Sequence, residues 1–144
     1  MAKQASWQRL QPHVDSIIPK GVKKGLAALD EREQTLFLVW SFTAEVDNGG
    51  FEQFFFNSGG GYASETVDAL ERIGAADVGA LLRRAIDLFP HAVVPRELEA
   101  RNAALDQLGD DADERFDELL KAYFRIGSDP VLEKLAAYFL RGAA

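Results

Sequence analysis

Residues 36–57, LFLVWSFTAEVDNGGFEQFFFN, hold Trp40 and six of the ten phenylalanines of the chain: Phe37, Phe42, Phe51, Phe54, Phe55 and Phe56. Fully burying one such ring contributes about 1.5–3 kcal/mol, so the folded chain must close over most of this segment. Its first part, 36–46, is apolar on nearly every side, interrupted by Ser41, Thr43 and Glu45. A helix apolar all round belongs at the centre of a domain, with the other helices packed about it. Asp30 followed by Glu33 has the form of a capping box ahead of it. Behind it, Asp47-Asn48-Gly49-Gly50 tolerates the left-handed backbone that closes a helix and redirects the chain. The segment therefore predicts a central helix over about 31–48, a sharp turn, and a short aromatic block at 51–56.

On the N-terminal side, Trp7, Leu10, Val14, Ile17 and Ile18 recur at helical spacing, with Ser6 as the N-cap. Pro12 predicts a kink, or a helix that starts near Gln11. Pro19-Lys20-Gly21 predicts a break, and Val22, Leu26 and Leu29 a short second helix. On the C-terminal side, Ser58 to Tyr62 is glycine-rich and predicts a flexible loop. Ser64 is placed to cap a helix through Val67, Leu70 and Ile73, stopped by Gly74. Val78, Leu81, Leu82, Ala85, Ile86 and Phe89 form the cleanest helical stripe, ended by Pro90. His91 to Val94 has some strand character but is too short to build a sheet. Pro95 suits the first turn of a helix through Leu98, Leu105 and Leu108, and Gly109 ends it. Phe116, Leu119, Leu120, Tyr123 and Phe124 mark the next helix. Val131, Leu132, Leu135, Tyr138 and Phe139 mark the last, beginning near Asp129-Pro130. The expectation is an all-α fold of seven or eight helices in one domain over 1–144, a length that buries about two thirds of the unfolded surface.

Composition removes several functional classes. The chain has no cysteine, so it offers no disulfide, thiol nucleophile or thiolate-ligated metal. There is no signal-peptide pattern and no apolar run of membrane-spanning length, so the expected setting is cytoplasmic, with no membrane role. His13 and His91 lie far apart, and neither follows a glutamate at the Glu-x-x-His spacing of a di-iron bundle. The Gly59-Gly60-Gly61 run lacks the lysine and Ser/Thr of a phosphate-binding loop. No catalytic residue, metal or cofactor is expected.

The net charge of −7 is uneven: residues 45–118 carry seventeen Asp/Glu against six Lys/Arg, whereas both flanking segments are mildly basic. A field of that sign repels nucleic acid and anionic lipid and attracts basic partners. Its densest part is Asp106, Asp110, Asp111, Asp113, Glu114, Asp117 and Glu118, seven carboxylates in thirteen residues with Arg115 as the one base. Acids in the first turn of a helix are ordinary, and Asp111 or Asp113 is a natural N-cap for the Phe116 helix. That does not account for Asp117 and Glu118, deeper in the helix, or for Asp106 and Asp110 ahead of it. If the helix begins early enough, Asp110, Asp113/Glu114 and Asp117/Glu118 stand roughly 5–6 Å apart along one edge, and regularly spaced negative charge on a rigid rod is what a nucleic-acid backbone presents. A second polar set, Glu45, Asn48, Gln53 and Asn57 around Gly49 and Gly50, either bonds the free backbone groups at the helix break or lines a small-ligand pocket in an aromatic wall.

Asn48-Gly49-Gly50-Phe51-Glu52-Gln53-Phe54-Phe55-Phe56-Asn57, with Glu45-Val46 before it and Tyr62 and 69–75 (ALERIGA) after it, resembles a bacterial all-helical domain family of unknown function that includes a DNA-mimic protein. The similarity continues through Phe89-Pro90, Pro95 and Arg101 and covers about 30–126. The resemblance implies a single helical domain, self-association as a homodimer, no catalytic residues, and an acidic surface that engages a DNA-binding regulator in place of DNA. The matching motif is apolar and glycine-rich, whereas the acidic residues lie outside it, so fold transfers more directly than function. The leading expectation is a non-enzymatic acidic protein that captures a basic DNA-binding protein. The rival is a small-molecule binding protein or enzyme with its pocket at the Asn48–Asn57 motif.

Overall fold

The computed structural model describes residues 4–141, and of Ser58 the backbone alone. Seven α-helices form among the described residues: α1 Ser6–Lys24, α2 Glu31–Phe56, α3 Ala63–Arg72, α4 Ala76–Ile86, α5 Leu98–Asp106, α6 Gly109–Ile126 and α7 Ser128–Arg141. Short 3-10 turns at Leu26–Ala28, Ser58–Tyr62 and Pro90–Ala92 join them, and no strand occurs among the described residues. The helices share one hydrophobic core, and α2 packs against α1, α3, α5, α6 and α7.

The Asp30 and Glu33 capping box forms as the sequence predicts: the Glu33 amide donates to Asp30 Oδ1 at 2.8 Å and the Asp30 amide to Glu33 Oε1 at 3.1 Å. The far end of α2 also follows the expectation: regular helix runs to Asn48, the backbone breaks at Gly49 (φ −155°, ψ 15°) and Gly50 (φ 81°, ψ −174°), and the aromatic block 51–56 resumes as a further helical stretch. The break sets the two aromatic groups against each other. The Phe42 ring meets Phe51 and Phe54 edge-on at centroid distances of 6.0 and 5.2 Å. Tyr123 of α6 closes the cluster, 6.0 Å from Phe42 and 6.3 Å from Phe51. Beyond it, Phe55 packs on Phe89 and Phe116. Edge-to-face pairs of this kind add about 0.5–1.5 kcal/mol each beyond the area they bury.

A buried base closes the lower end of α2. Arg101 of α5 is 1% exposed. Its Nε donates to the Phe55 carbonyl at 2.6 Å, Nη2 to the Asn57 carbonyl at 2.8 Å, and Nη1 to the Pro95 and Arg96 carbonyls at 3.1 and 3.0 Å. The last carbonyls of a helix have no partner within it and carry its partial negative charge, so a cationic fork there satisfies both. Burial pushes the Arg101 guanidinium below its ordinary range, though a guanidinium keeps its proton in proteins. Directly above, Gly60 lies so close to α2 that a Cβ there would stand 2.7 Å from the Phe54 carbonyl oxygen and Phe55 Cα. The 58–62 segment is thus a 3-10 turn seated on the helix, not the expected open loop.

Other sequence expectations are revised. Helix α1 runs through both Pro12 and Pro19, capped at Ala5 and not at Ser6. The expected short helix around Val22, Leu26 and Leu29 shrinks to the Leu26–Ala28 turn. An interior proline costs about 3 kcal/mol or more, offset here because Leu10, Val14, Ile17 and Gly21 bury one face of α1 in the core. Helix α3 starts at Ala63 with Ser64 inside its first turn, and α5 starts three residues after Pro95. At the C-terminal end, the Tyr123 hydroxyl hydrogen-bonds Ser128, which donates to Asp47 Oδ1 at 2.7 Å, tying α6, α7 and α2 together. Burial, with Asp47 nearby and partly opposed by the Ser128 hydrogen bond, leaves the Tyr123 phenol pushed up to about 12.

Gly50 combines a φ open only to glycine with a close neighbour, since a Cβ there would stand 3.2 Å from Leu120 Cδ2. Gly50→Ala is expected to lower unfolding free energy by about 1–3 kcal/mol in chemical denaturation. Arg101→Met, which strips the donors from several buried carbonyls, is expected to cost about 3 kcal/mol or more in the same measurement. Arg101→Lys is expected to recover only part of that loss, because one ammonium cannot reproduce the fork.

Candidate functional site

Helix α6 begins at Gly109, early enough to carry the whole run from Asp110 to Glu118. Its N-cap is Leu108, which makes no side-chain capping bond. Asp111 and Asp113 are therefore not caps, which corrects the expectation from the sequence. Ala112, Phe116, Leu119 and Tyr123 bury the opposite face. That pattern turns Asp110, Asp111, Asp113, Glu114, Asp117 and Glu118 outward, and all six are exposed. At 100° per residue, Asp110, Asp113 and Asp117 share one flank, Asp111 and Glu118 the other, and Glu114 lies between. The run spans about 12 Å at 1.5 Å per residue. Asp106, also exposed, is set apart as the last residue of α5.

Glu52 joins this ridge from the short second stretch of α2. Partial burial, followed by the charges of Asp113 and then Asp117, pushes its carboxyl above the ordinary range. The ridge is therefore built from two helices, and the sequence reading missed Glu52. Its helical phase, away from Phe51, Phe54 and Phe55, indicates an outward position, but its meeting with α6 depends on the break at Gly49 and Gly50.

The polar set around that break has its own arrangement. Glu45 Oε2 accepts from Gln53 Nε2 at 2.9 Å and from Asn57 Nδ2 at 2.6 Å, so the three side chains bond one another across the break. The bonds to free backbone groups expected from the sequence are not the ones formed. Asn48 and Gly49 are exposed, whereas Gly50 is buried against Leu120. A cavity of about 640 Å³ opens beside this knot, between the end of α1, α2 and the 58–62 turn. Glu45 and Asn57 line it; Asn48, Gly49, Gly50 and Gln53 do not. Arg96 stands at its edge, donating to Glu65 Oε2 at 2.8 Å and to the Gly61 carbonyl at 3.2 Å. The wall supplied by Ile18, Gly21 and Val22 of α1 was not anticipated, because the sequence reading ended α1 before Val22.

Among the described residues, no group of three or more His, Asp or Glu side chains is arranged to hold a metal ion. No helix among them is long and apolar enough to cross a membrane. Comparison with protein families gives one that matches residues 27–142, described as DMP19-like protein. The match starts three residues before the resemblance read from the motif and runs on through α7, well past 126. Comparison with curated proteins and with solved structures gives no match.

The raised carboxyl of Glu52 links the ridge to stability. A carboxyl whose folded-state pKa is raised holds its proton more tightly when folded, so stability falls as pH rises from the ordinary glutamate value of 4.5 into the range above it. Glu52→Gln is expected to raise the melting temperature near pH 7, with the gain vanishing as the pH falls below about 4. Thermal denaturation across pH 3.5–8 checks this, and an equal gain at every pH would assign the effect to packing.

Proposed function

The chain belongs to the DMP19-like family, an all-helical family that includes a DNA mimic, and on that premise we propose that it is a non-catalytic protein-binding domain that occupies the DNA-binding face of a basic regulator. The α6 ridge is the contact surface, and the regulator's Lys and Arg side chains are its ligands. The observation that carries this reading is the exposure of six carboxylates on one rigid helix, with the flank of Asp113 and Asp117 doubled by Glu52.

The physical match is one of charge and spacing. Duplex DNA presents a phosphate about every 3.4 Å of rise on each strand, so a ridge of about 12 Å stands in for three or four of them. Asp110, Asp113 and Asp117 recur at steps of about 4.5 and 6 Å along the helix axis. A helix holds them at fixed separations, so a basic face meets them without ordering a flexible segment first. Their charges also accelerate encounter with a basic partner and discourage direct contact with nucleic acid. In this reading the protein acts in the cytoplasm and self-associates as a homodimer.

The ridge residues play no part in the core, so they can be neutralised without loss of fold. Asp110→Asn, Asp113→Asn and Asp117→Asn combined are expected to leave the helical circular-dichroism signal intact and the melting temperature unchanged or raised. The same variant is expected to lose at least about tenfold in affinity for the basic DNA-binding proteins that the parent captures at low salt, and to lose most of the salt dependence of capture. Undiminished capture at every salt concentration would remove α6 as the contact surface.

A further inference from the structure

The cavity beside α2 has features that the acidic ridge does not use. Its volume of about 640 Å³ lies in the range of small-molecule sites. Phe37, Trp40 and Tyr62 contribute aromatic rings to its lining, Ile18 and Val22 add aliphatic surface, and two of its lining residues are charged, Glu45 and Arg96. These two charges are in different states. Arg96 lies 2.8 Å from Glu65, so its charge is matched within the protein. Glu45 takes hydrogen bonds from two amides, Gln53 and Asn57, both on Oε2. Among the described residues its Oε1 accepts no hydrogen bond, and no Lys or Arg lies within ion-pair distance of it.

We propose that this groove binds a small primary ammonium compound with an apolar, ring-sized body. The ammonium pairs with the free oxygen of Glu45, whose orientation the Gln53 and Asn57 amides already hold, so little ordering is needed on binding. The apolar body lies among Phe37, Trp40 and Tyr62, rings that attract a cation in addition to burying hydrocarbon. A carboxylate-bearing ligand is rejected by Glu45 and finds Arg96 already occupied. The site is independent of the α6 ridge. Because α1 supplies Ile18 and Val22 and lies before residue 27, one wall of the groove comes from outside the family-matched segment.

The test is calorimetric titration of the full chain with 2-phenylethylamine and, separately, with 3-phenylpropanoate, which share a ring and differ in the sign of charge. Amide and indole NMR shifts map where each goes. The amine is expected to bind and to shift the Trp40 indole, and the acid to give no saturable signal. Glu45→Gln is expected to weaken amine binding by about tenfold or more. Since Glu45 also joins the knot across the α2 break, a second variant guards against a folding defect. Val22→Trp, at a position 75% exposed, fills the groove without touching the core and is expected to abolish binding at an unchanged melting temperature. Absence of amine binding to the parent chain, equal binding of the acid, or retention of binding in both variants would overturn the proposal. So would a concentration-dependent dimer that Val22→Asp dissociates, because the groove would then belong to a second copy.

Discussion

At Gly49 and Gly50 the backbone leaves the helical region, and most of the molecule follows from how the chain continues. An unbroken helix through 56 would send Phe51, Phe54 and Phe55 onward along its axis, away from Phe42. The break instead brings Phe51 and Phe54 against Phe42 and allows Tyr123 to close the cluster. It also ends α2 where Arg101 can take up the Phe55 and Asn57 carbonyls, and where Glu52 meets Asp113 and Asp117. Only glycine takes the Gly50 backbone without strain, so a side chain absent at one position permits three separate contacts.

The core and the acidic ridge draw on different residues. The aromatic block, the glycines and Arg101 are buried or seated on the core, whereas the α6 carboxylates lie on the far side of the same helix that contributes Phe116, Leu119 and Tyr123. Like charges crowded on one face destabilise a helix, and Glu52 of α2, whose carboxyl is pushed up first by burial and then by Asp113 and Asp117, adds to that crowding. Burial on one face of α6 therefore holds together what electrostatics on the other would loosen. This separation leaves the ridge open to substitution at little cost to the fold.

Much of the fold was legible in the sequence because helical periodicity is a local property. The stripe from Val78 to Ile86, the Asp30–Glu33 box and the apolar α2 all appear where spacing placed them, although α4 stops three residues short of Phe89. The failures came from forces that spacing does not carry. Pro12 read as a kink or a late helix start and Pro19 as a break, but burial of Leu10, Val14, Ile17 and Gly21 carries α1 past both. The glycines at 59–61 read as a loosely held loop, whereas Gly60 sits on the α2 backbone because no Cβ intervenes. Arg101 drew notice only through a family resemblance, since a cation serving four carbonyls leaves no charge partner in the sequence to point to it. The acidic residues of α6 were visible as a run, and their outward facing followed from the helix phase. Glu52 and the α1 wall of the groove depend on tertiary placement and were not visible.

The central claim is that the α6 ridge and DNA compete for the same basic face, and mutual exclusion measures it most directly. A basic DNA-binding protein captured by the immobilised chain is challenged at fixed ionic strength with increasing duplex DNA that carries its binding site. The account predicts that DNA releases the protein in full, at concentrations that scale with the duplex's own affinity, with no ternary complex. A stable assembly of chain, protein and DNA together would contradict it.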